Sequence, residues 1–564
     1  MPVKNSTKNK NIRKRRESGN NQDKHITKAA ERIVKSGVRG ILEITRGREV
    51  DYSEVISLYL PDDEELNRQR SYIFPRPLKV SIVVAAYETD ERRLRDMIES
   101  VRGQTYTNYE LIIADASRTT KVKDIVVPIS KEDGHGQIIY LPLENDDGTA
   151  ATFNEGIKKA SGDIVGLLDH DDILEASALY ETVKAMATDT NVDLIYTDED
   201  EITDDLGVYV QPKLKPDLNI ELLNTNNYIG HFIAIRRTLL DEVGIFRTEY
   251  EGAHDYDLIL RLTEKAKVVV HIPKVLYHKR QHAAASTGNP SKRRKNIENG
   301  KKVLEEHFRR LGEEYKISTR ADYGYYRPDY RIRDFKQLTI IVTSHTFNDN
   351  KVISDARKHG INVVHSPGLS WLSSHEISTR YALIAEEASY IPNISAIAEM
   401  LGIVKRPKVG AVGTKSVHKN GSVLQNGLVF FENGLVCDAF CDHKKNSKGY
   451  MHRDSLTQYM SGICFHLAMI KKEALDMTGG YLLQQPHRYM AMDICLQMRK
   501  AGFNVVQDPY IVIEGDTSRP FTQVEENQAR LILKERWGSY LRGNDPYYNI
   551  NFEKGNASFR FKEL

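Results

Sequence analysis

From residue 78 onward the chain alternates between two patterns. Short apolar, β-branched runs such as Val80-Ser81-Ile82-Val83-Val84-Ala85-Ala86 and Tyr109-Glu110-Leu111-Ile112-Ile113-Ala114 have strand length. Between them, 90–103 reads as a capped helix that stops at Gly103. Further units follow at 138–143, at 149–160 and at Asp163-Ile164-Val165-Gly166-Leu167-Leu168. Strand and helix in repeated alternation predict an α/β fold, a parallel sheet covered on both faces. A second opening strand, Gln337-Leu338-Thr339-Ile340-Ile341-Val342, follows the tyrosine-rich stretch Tyr323-Gly324-Tyr325-Tyr326. Later landmarks then repeat. Glu242-Val243-Gly244-Ile245-Phe246 parallels Asp476-Met477-Thr478-Gly479-Gly480-Tyr481, and Asp255-Tyr256-Asp257-Leu258 parallels Ala491-Met492-Asp493-Ile494. The pattern predicts a tandem duplication, 78–330 and 337–564, with its boundary near 330–336.

Upstream of residue 78 the pattern differs. Residues 1–25 carry no apolar period and read as a disordered arm. Residues 26–46 place Ile26, Ala29, Ile33, Val34, Val38, Ile41 and Leu42 at helical spacing, with Gly37 and Gly40 as weak points. The rest of 26–77, acidic and turn-rich, reads as a connector.

Composition narrows the class. The chain has 564 residues, too many for one ordinary core. With 40% hydrophobic and 28% charged residues it reads as a soluble globular protein. The formal net charge of +2 is uninformative, but its distribution is not. Lys4, Lys8, Lys10, Arg13, Lys14, Arg15 and Arg16 fall in the first sixteen residues, with no acid among them. Such an arm is a solvated tail or a contact for an anionic membrane surface. It lacks the apolar core of a secretory signal, and no run approaches the roughly 20 apolar residues of a membrane span. A cytoplasmic protein is expected, with peripheral attachment to the inner face of the membrane as an option. Nothing points to nucleic acid. Cys437, Cys441, Cys464 and Cys495 complete no zinc spacing and read as free thiols.

The chemistry concentrates at Asp169-His170-Asp171-Asp172, directly after the strand ending at Leu168. In open α/β sheets ligands bind outside the carboxyl ends of the strands. Three carboxylates within four positions repel one another without a counter-charge. Hard oxygen donors suit Mg²⁺ or Mn²⁺, and magnesium commonly shares its shell with substrate phosphates. A helix N-cap with acidic first-turn residues explains one of these acids but not three.

Residues 78–320 resemble a family 2 glycosyltransferase domain of the GT-A fold. The resemblance rests on ordered motifs: Ser81 to Thr89, Ser100 to Tyr106, Glu110 to Asp115, Leu168 to Asp172, Tyr196 to Asp200, Asn227 to His231, Gly252 to Leu258 and Val275 to His278. It implies two tandem GT-A (Rossmann-like) domains and an inverting transfer of sugar from a nucleoside-diphosphate donor. Tyr87 would pack on the base, and Asp115 would hydrogen-bond the base or ribose. The family more often shows two adjacent acids where Asp115-Ala116 stands. Asp169 and Asp171 match the Asp-x-Asp motif, Asp171 being the more direct metal ligand and Asp169 also facing the nucleotide. Asp255 matches the catalytic base. His278 either completes the metal shell or is a satisfied strand-end histidine. Arg280 either pairs with the donor phosphates or stands exposed.

The second half resembles the partner domain of tandem family 2 proteins through Arg406 to Gly413, Gln425-Asn426-Gly427 and Asp545-Pro546-Tyr547-Tyr548-Asn549. There Ala388 falls at the metal-binding aspartate, Ala491 at the base and Gly515 at the histidine. A catalytically dead copy is expected, serving packing, acceptor binding or homo-oligomer formation. The implied function is cell-surface polysaccharide synthesis with a UDP- or dTDP-sugar donor and a lipid-linked glycan acceptor, hexosyl and rhamnosyl transfer both fitting. A nucleotidyltransferase would need a glycine-rich phosphate loop, which Ala85-Ala86-Tyr87-Glu88 is not. The other alternative is a non-catalytic carbohydrate-binding or scaffolding protein.

Overall fold

The structure is a computed structural model. It describes Tyr52, Ile56 and residues 59–564, apart from 133–135, 282–289, 321–323, 346, 348, 370–371, 373–376, 485–486, 516–521 and 562–564. The basic arm and the helix expected over 26–46 lie outside the described residues. Residues 58–564 form one compact unit.

The first sheet is built from β1 (Val80–Ala86), β2 (Tyr109–Asp115), β3 (Gln137–Pro142), β4 (Ile164–Asp169), β5 (Ile173–Leu174), β6 (Val192–Ile202), β7 (Tyr209–Lys213), β8 (Ile233–Arg236) and β9 (Val268–Arg280). Its strand order is β3-β2-β1-β4-β8-β6-β9-β5, with β7 on β6. The β1–β4 run is parallel, as the strand–helix alternation predicts, while β8 runs antiparallel to both neighbours. Every residue of β1 and β2 is buried. Helix α1 (Glu91–Arg102) covers one face with Leu94, Met97, Ile98 and Val101, and Asp90 caps it by accepting from the amides of Arg92 and Arg93. Helices α2 (Thr149–Lys159), α3 (His254–Lys265) and α4 (Pro290–Arg310) contribute to the opposite core.

A hairpin, β10 (Lys316–Arg320) with β11 (Tyr325–Asp329), leads to the second sheet. That sheet contains β12 (Leu338–Val342), β13 (Asn362–His365), β14 (Tyr381–Ala385), β15 (Val409–Val417), β16 (Val423–Gln425), β19 (Gln458–Tyr459), β20 (Leu467–Lys471) and β21 (Asn504–Glu514). A separate pair, β17 (Leu428–Phe430) and β18 (Val436–Asp438), lies between β16 and β19 in the chain. In the second sheet the run β13-β12-β14-β20-β15-β21 repeats the first sheet's β2-β1-β4-β8-β6-β9 strand for strand, with β19 added at its edge.

The register repeats as well. Ile164 pairs with Arg236 on β4 and β8, and Tyr381 pairs with Lys471 on β14 and β20. Five residues beyond each rung stand Asp169 with His231 in the first sheet, and Glu386 with His466 in the second. Asp171 then corresponds to Ala388. The rung that holds His278 opposite Asp200 holds Glu514 opposite Val417, one residue before Gly515.

The two sheets share a core. Phe308, Tyr326 and Tyr330 pack in one cluster with Ile397, Leu401 and Val404 of α5 (Ile394–Lys405). Arg406 crosses this seam to a buried ion pair with Glu221, its guanidinium 5.1 Å from the centre of the Tyr330 ring. Asp217 and Asn219 meet Pro546 and Tyr459 through backbone and amide hydrogen bonds.

Candidate active site

The carboxyl edge of β2, β1 and β4 gathers the first set of residues. Ala86 is in register with Asp115, and Ala85 with Asp169, so three strand ends finish at one level. Tyr87, the next residue, is 43% exposed there. Asp115 is buried and held: Oδ2 accepts from the Tyr140 hydroxyl at 2.8 Å and Oδ1 from the Ser117 amide at 2.9 Å. Glu88, at φ 47°, accepts from the amides of Arg118 and Thr119 and fixes the loop beyond Tyr87.

The acidic turn divides its labour. The Asp169 side chain is 39% exposed, with Oδ2 3.5 Å from His231 Nε2. Asp172 turns inward, accepting from the Tyr277 hydroxyl and, at 2.8 Å, from the Arg280 amide. Burial, then the charges of Asp169 and Asp171, push the Asp172 carboxyl up to about 8. A divalent cation against Asp169 and Asp171 would relieve that repulsion, so the donor set fits a hard metal ion.

Asp255 sits in the first turn of α3, and Asn227 Nδ2 donates to its Oδ2 at 3.0 Å. One cavity of about 540 Å³ is lined by Asp169, His231, Asp255, Lys279, Lys292 and Asn296. Residues 86 apart in sequence thus face the same space. Asp257 points the other way, into a buried pair with Arg247 and Arg261.

Two expected residues are elsewhere. His278 is 1% exposed and is not among the residues lining that cavity. Its Nδ1 lies 2.6 Å from Asp200 Oδ1 and its Nε2 3.4 Å from Glu175 Oε2. Burial disfavours its charge, but the two carboxylates outweigh that and raise the ring to about 9. With both ring nitrogens facing carboxylates, the arrangement matches the alternative of a satisfied strand-end histidine. Arg280 is not exposed, and it is not among the residues lining that cavity. It is buried, with Nη2 2.9 Å from Asp96, and Nε donates to the Asp171 carbonyl at 2.8 Å. It braces the acidic turn from below.

The sequence reading missed three contributors. His231 stacks on Tyr277 at 5.2 Å, and its buried Nδ1 has no hydrogen-bond partner. Glu199 accepts from the His231 amide at 2.8 Å and from Lys215 Nζ at 2.9 Å. Burial works against the Glu199 charge, but Lys215 and Lys213 hold this carboxyl well below its usual range. Tyr196-Thr197-Asp198-Glu199-Asp200 signalled that strand, but nothing in its spacing said that its acids point inward.

The sequence model of Glycosyl transferase family 2 matches residues 81–244, which span β1 to the glycine after β8 and its helix. The matched segment contains Tyr87, Asp115, the acidic turn and His231, while Asp255 follows it. Two curated relatives match 84% of the chain. The protein y4gI of Sinorhizobium fredii is 29% identical over 530 residues, covering 57% of its own length. The O-antigen biosynthesis protein RfbC of Myxococcus xanthus is 26% identical over 523 residues, covering 40% of its length. The chain therefore spans about half the length of these relatives. Among solved structures, a mannosyltransferase of Pyrobaculum calidifontis is similar at 18% identity and a TM-score of 0.33, covering 44% of this chain and 70% of that one. Among the described residues no helix is long and apolar enough to cross a membrane.

Proposed function

We propose that the chain is an inverting glycosyltransferase that moves a sugar from a nucleoside-diphosphate donor to a hydroxyl of a glycan acceptor. The observation that carries this is the shared cavity of Asp169 and Asp255, one at the carboxyl edge of a family 2 sheet and the other on the helix facing it. Tyr87 offers an exposed ring for the base, and Asp115, fixed by Tyr140 and Ser117, offers a carboxylate for the base or ribose. Asp169 and Asp171 would hold Mn²⁺ or Mg²⁺, which when bound supplies positive charge against the diphosphate leaving group.

The protein's own work is positioning and proton transfer. Asn227 orients Asp255 through Oδ2 and leaves Oδ1 for the acceptor hydroxyl. Asp255 takes the proton as the acceptor oxygen attacks the anomeric carbon, and the nucleoside diphosphate departs from the opposite side. Arg280 keeps the Asp171 backbone in place, and Glu199 with Lys215 holds the loop that carries His231.

The second half has Ala388 and Ala491 where the first has Asp171 and Asp255, which supports one active site per chain. The relative named for O-antigen biosynthesis supports a cell-surface polysaccharide as the product, and a lipid-linked acceptor fits that setting. Donor-sugar release with Mn²⁺ and an acceptor panel tests the assignment. Asp171→Ala and Asp255→Asn should each lower turnover by about 10²–10⁴-fold. Turnover equal to wild type in both variants would sink it.

A further inference from the structure

The second sheet keeps half of the first sheet's pair and then departs from it. Glu386 and His466 occupy the rungs of Asp169 and His231, and His466 Nδ1 lies 2.5 Å from Glu386 Oε2. The backbone closes the same corner, with the Glu386 amide donating to the His466 carbonyl at 2.8 Å. Where the first sheet then supplies Asp171, the second has Ala388. Two other side chains close in instead. Cys464 lies two residues before His466, and His487 opens helix α6 (His487–Lys500). The His466 and His487 rings stack at 4.6 Å, and one donor atom from each of Cys464, His466 and His487 lies within 4.8 Å of the others.

We infer that Cys464, His466 and His487 form a binding site for a borderline-soft divalent cation of the zinc class, in place of the hard-cation site of the first sheet. This rests on residues distinct from those proposed for catalysis. The ligand chemistry decides the metal: one thiolate and two imidazoles favour Zn²⁺ over Mg²⁺ or Mn²⁺. Zn–N and Zn–S bonds of about 2.0–2.3 Å imply ligand atoms about 3.3–3.7 Å apart, a spacing inside the 4.8 Å that bounds these three. Glu386 contacts His466 through Nδ1 and would take the outer role beside a bound ion. Binding displaces the Cys464 thiol proton to solvent as the S–metal bond forms.

The experiment is cobalt and zinc binding to the untagged full chain. Dialysed wild type should retain one zinc per chain, and Co²⁺ replacement should show a thiolate-to-cobalt charge-transfer band with tetrahedral d–d intensity. Cys464→Ser should abolish that band, His487→Gln should weaken cobalt retention, and Asp171→Ala should leave both signals unchanged. Cys437 and Cys441 are the other thiols within reach of a metal, so Cys437→Ser/Cys441→Ser must keep the band. A band that follows Cys437 and Cys441 overturns the site. So does a wild-type spectrum showing only weak octahedral cobalt, a reading that needs no variant to fold.

Discussion

His278 lies between Asp200 and Glu175 with almost no solvent contact, and its charge is part of the fold. Its raised pKa sets the sign of a pH effect. The stabilisation is fully present below the unfolded value near 6.5 and is lost as pH rises through about 9. His278→Gln should cost about 3–5 kcal/mol at pH 6.5, because Asp200 and Glu175 lose the buried positive charge that faces them. The gap between variant and wild type should narrow toward pH 10, which denaturant titration at several pH values will read. Arg280 gives a second test. Arg280→Lys keeps a charge near Asp96 but loses the planar donor on the Asp171 carbonyl. Turnover should fall by roughly 10- to 100-fold with the donor KM raised less, since a small displacement of the turn misplaces the reacting groups. Steady-state kinetics separates that from a loss of folded protein. The sequence left His278 open between a metal ligand and a satisfied strand-end histidine, and neither reading of Arg280 was a brace. Asp200 opposite His278, and Asp96 with the Asp171 carbonyl around Arg280, come together only through long-range pairing.

At the scale of elements, much was legible. The apolar runs became β1, β2 and β4, Asp90 became a cap, and the acid cluster fell at the end of β4, because burial on both faces leaves an unambiguous apolar signature. The antiparallel β8, the two-stranded additions and the 23-residue gap between Cys464 and His487 left no such trace. Long-range pairings carry no local period. Packing between elements also makes demands that propensity does not show. A Cβ at Gly402, in α5, would lie 1.6 Å from the Tyr330 carbonyl oxygen. Gly402→Ala should therefore destabilise by about 1–3 kcal/mol or more, although alanine would gain about 1 kcal/mol in an isolated helix. Thermal unfolding of the variant checks the sign; an unchanged or higher Tm would show that the two backbones are not in contact.

At the scale of the molecule, the tandem pattern predicts two lobes, and the two sheets do repeat one another, yet one core runs across both. Arg406 with Glu221 and α5 against Tyr330 place the seam inside the protein rather than at a linker. The full chain should unfold in a single cooperative transition, and residues 58–336 expressed alone should be insoluble or lose that transition. Calorimetry of chain and fragment decides it, and an independently folded fragment would count against the shared core.

Asn549 extends the same dependence to the order of synthesis. Its side-chain amide donates to Asp198 and to the Lys215 carbonyl, beneath the residues that hold Glu199 and His231. A ribosome making this chain has therefore passed residue 549 before the floor of the cavity that His231 lines can be locked from below. A chain released before Asn549 would carry every acid of the first sheet and still lack that brace, so turnover should appear only once the chain extends past Asn549.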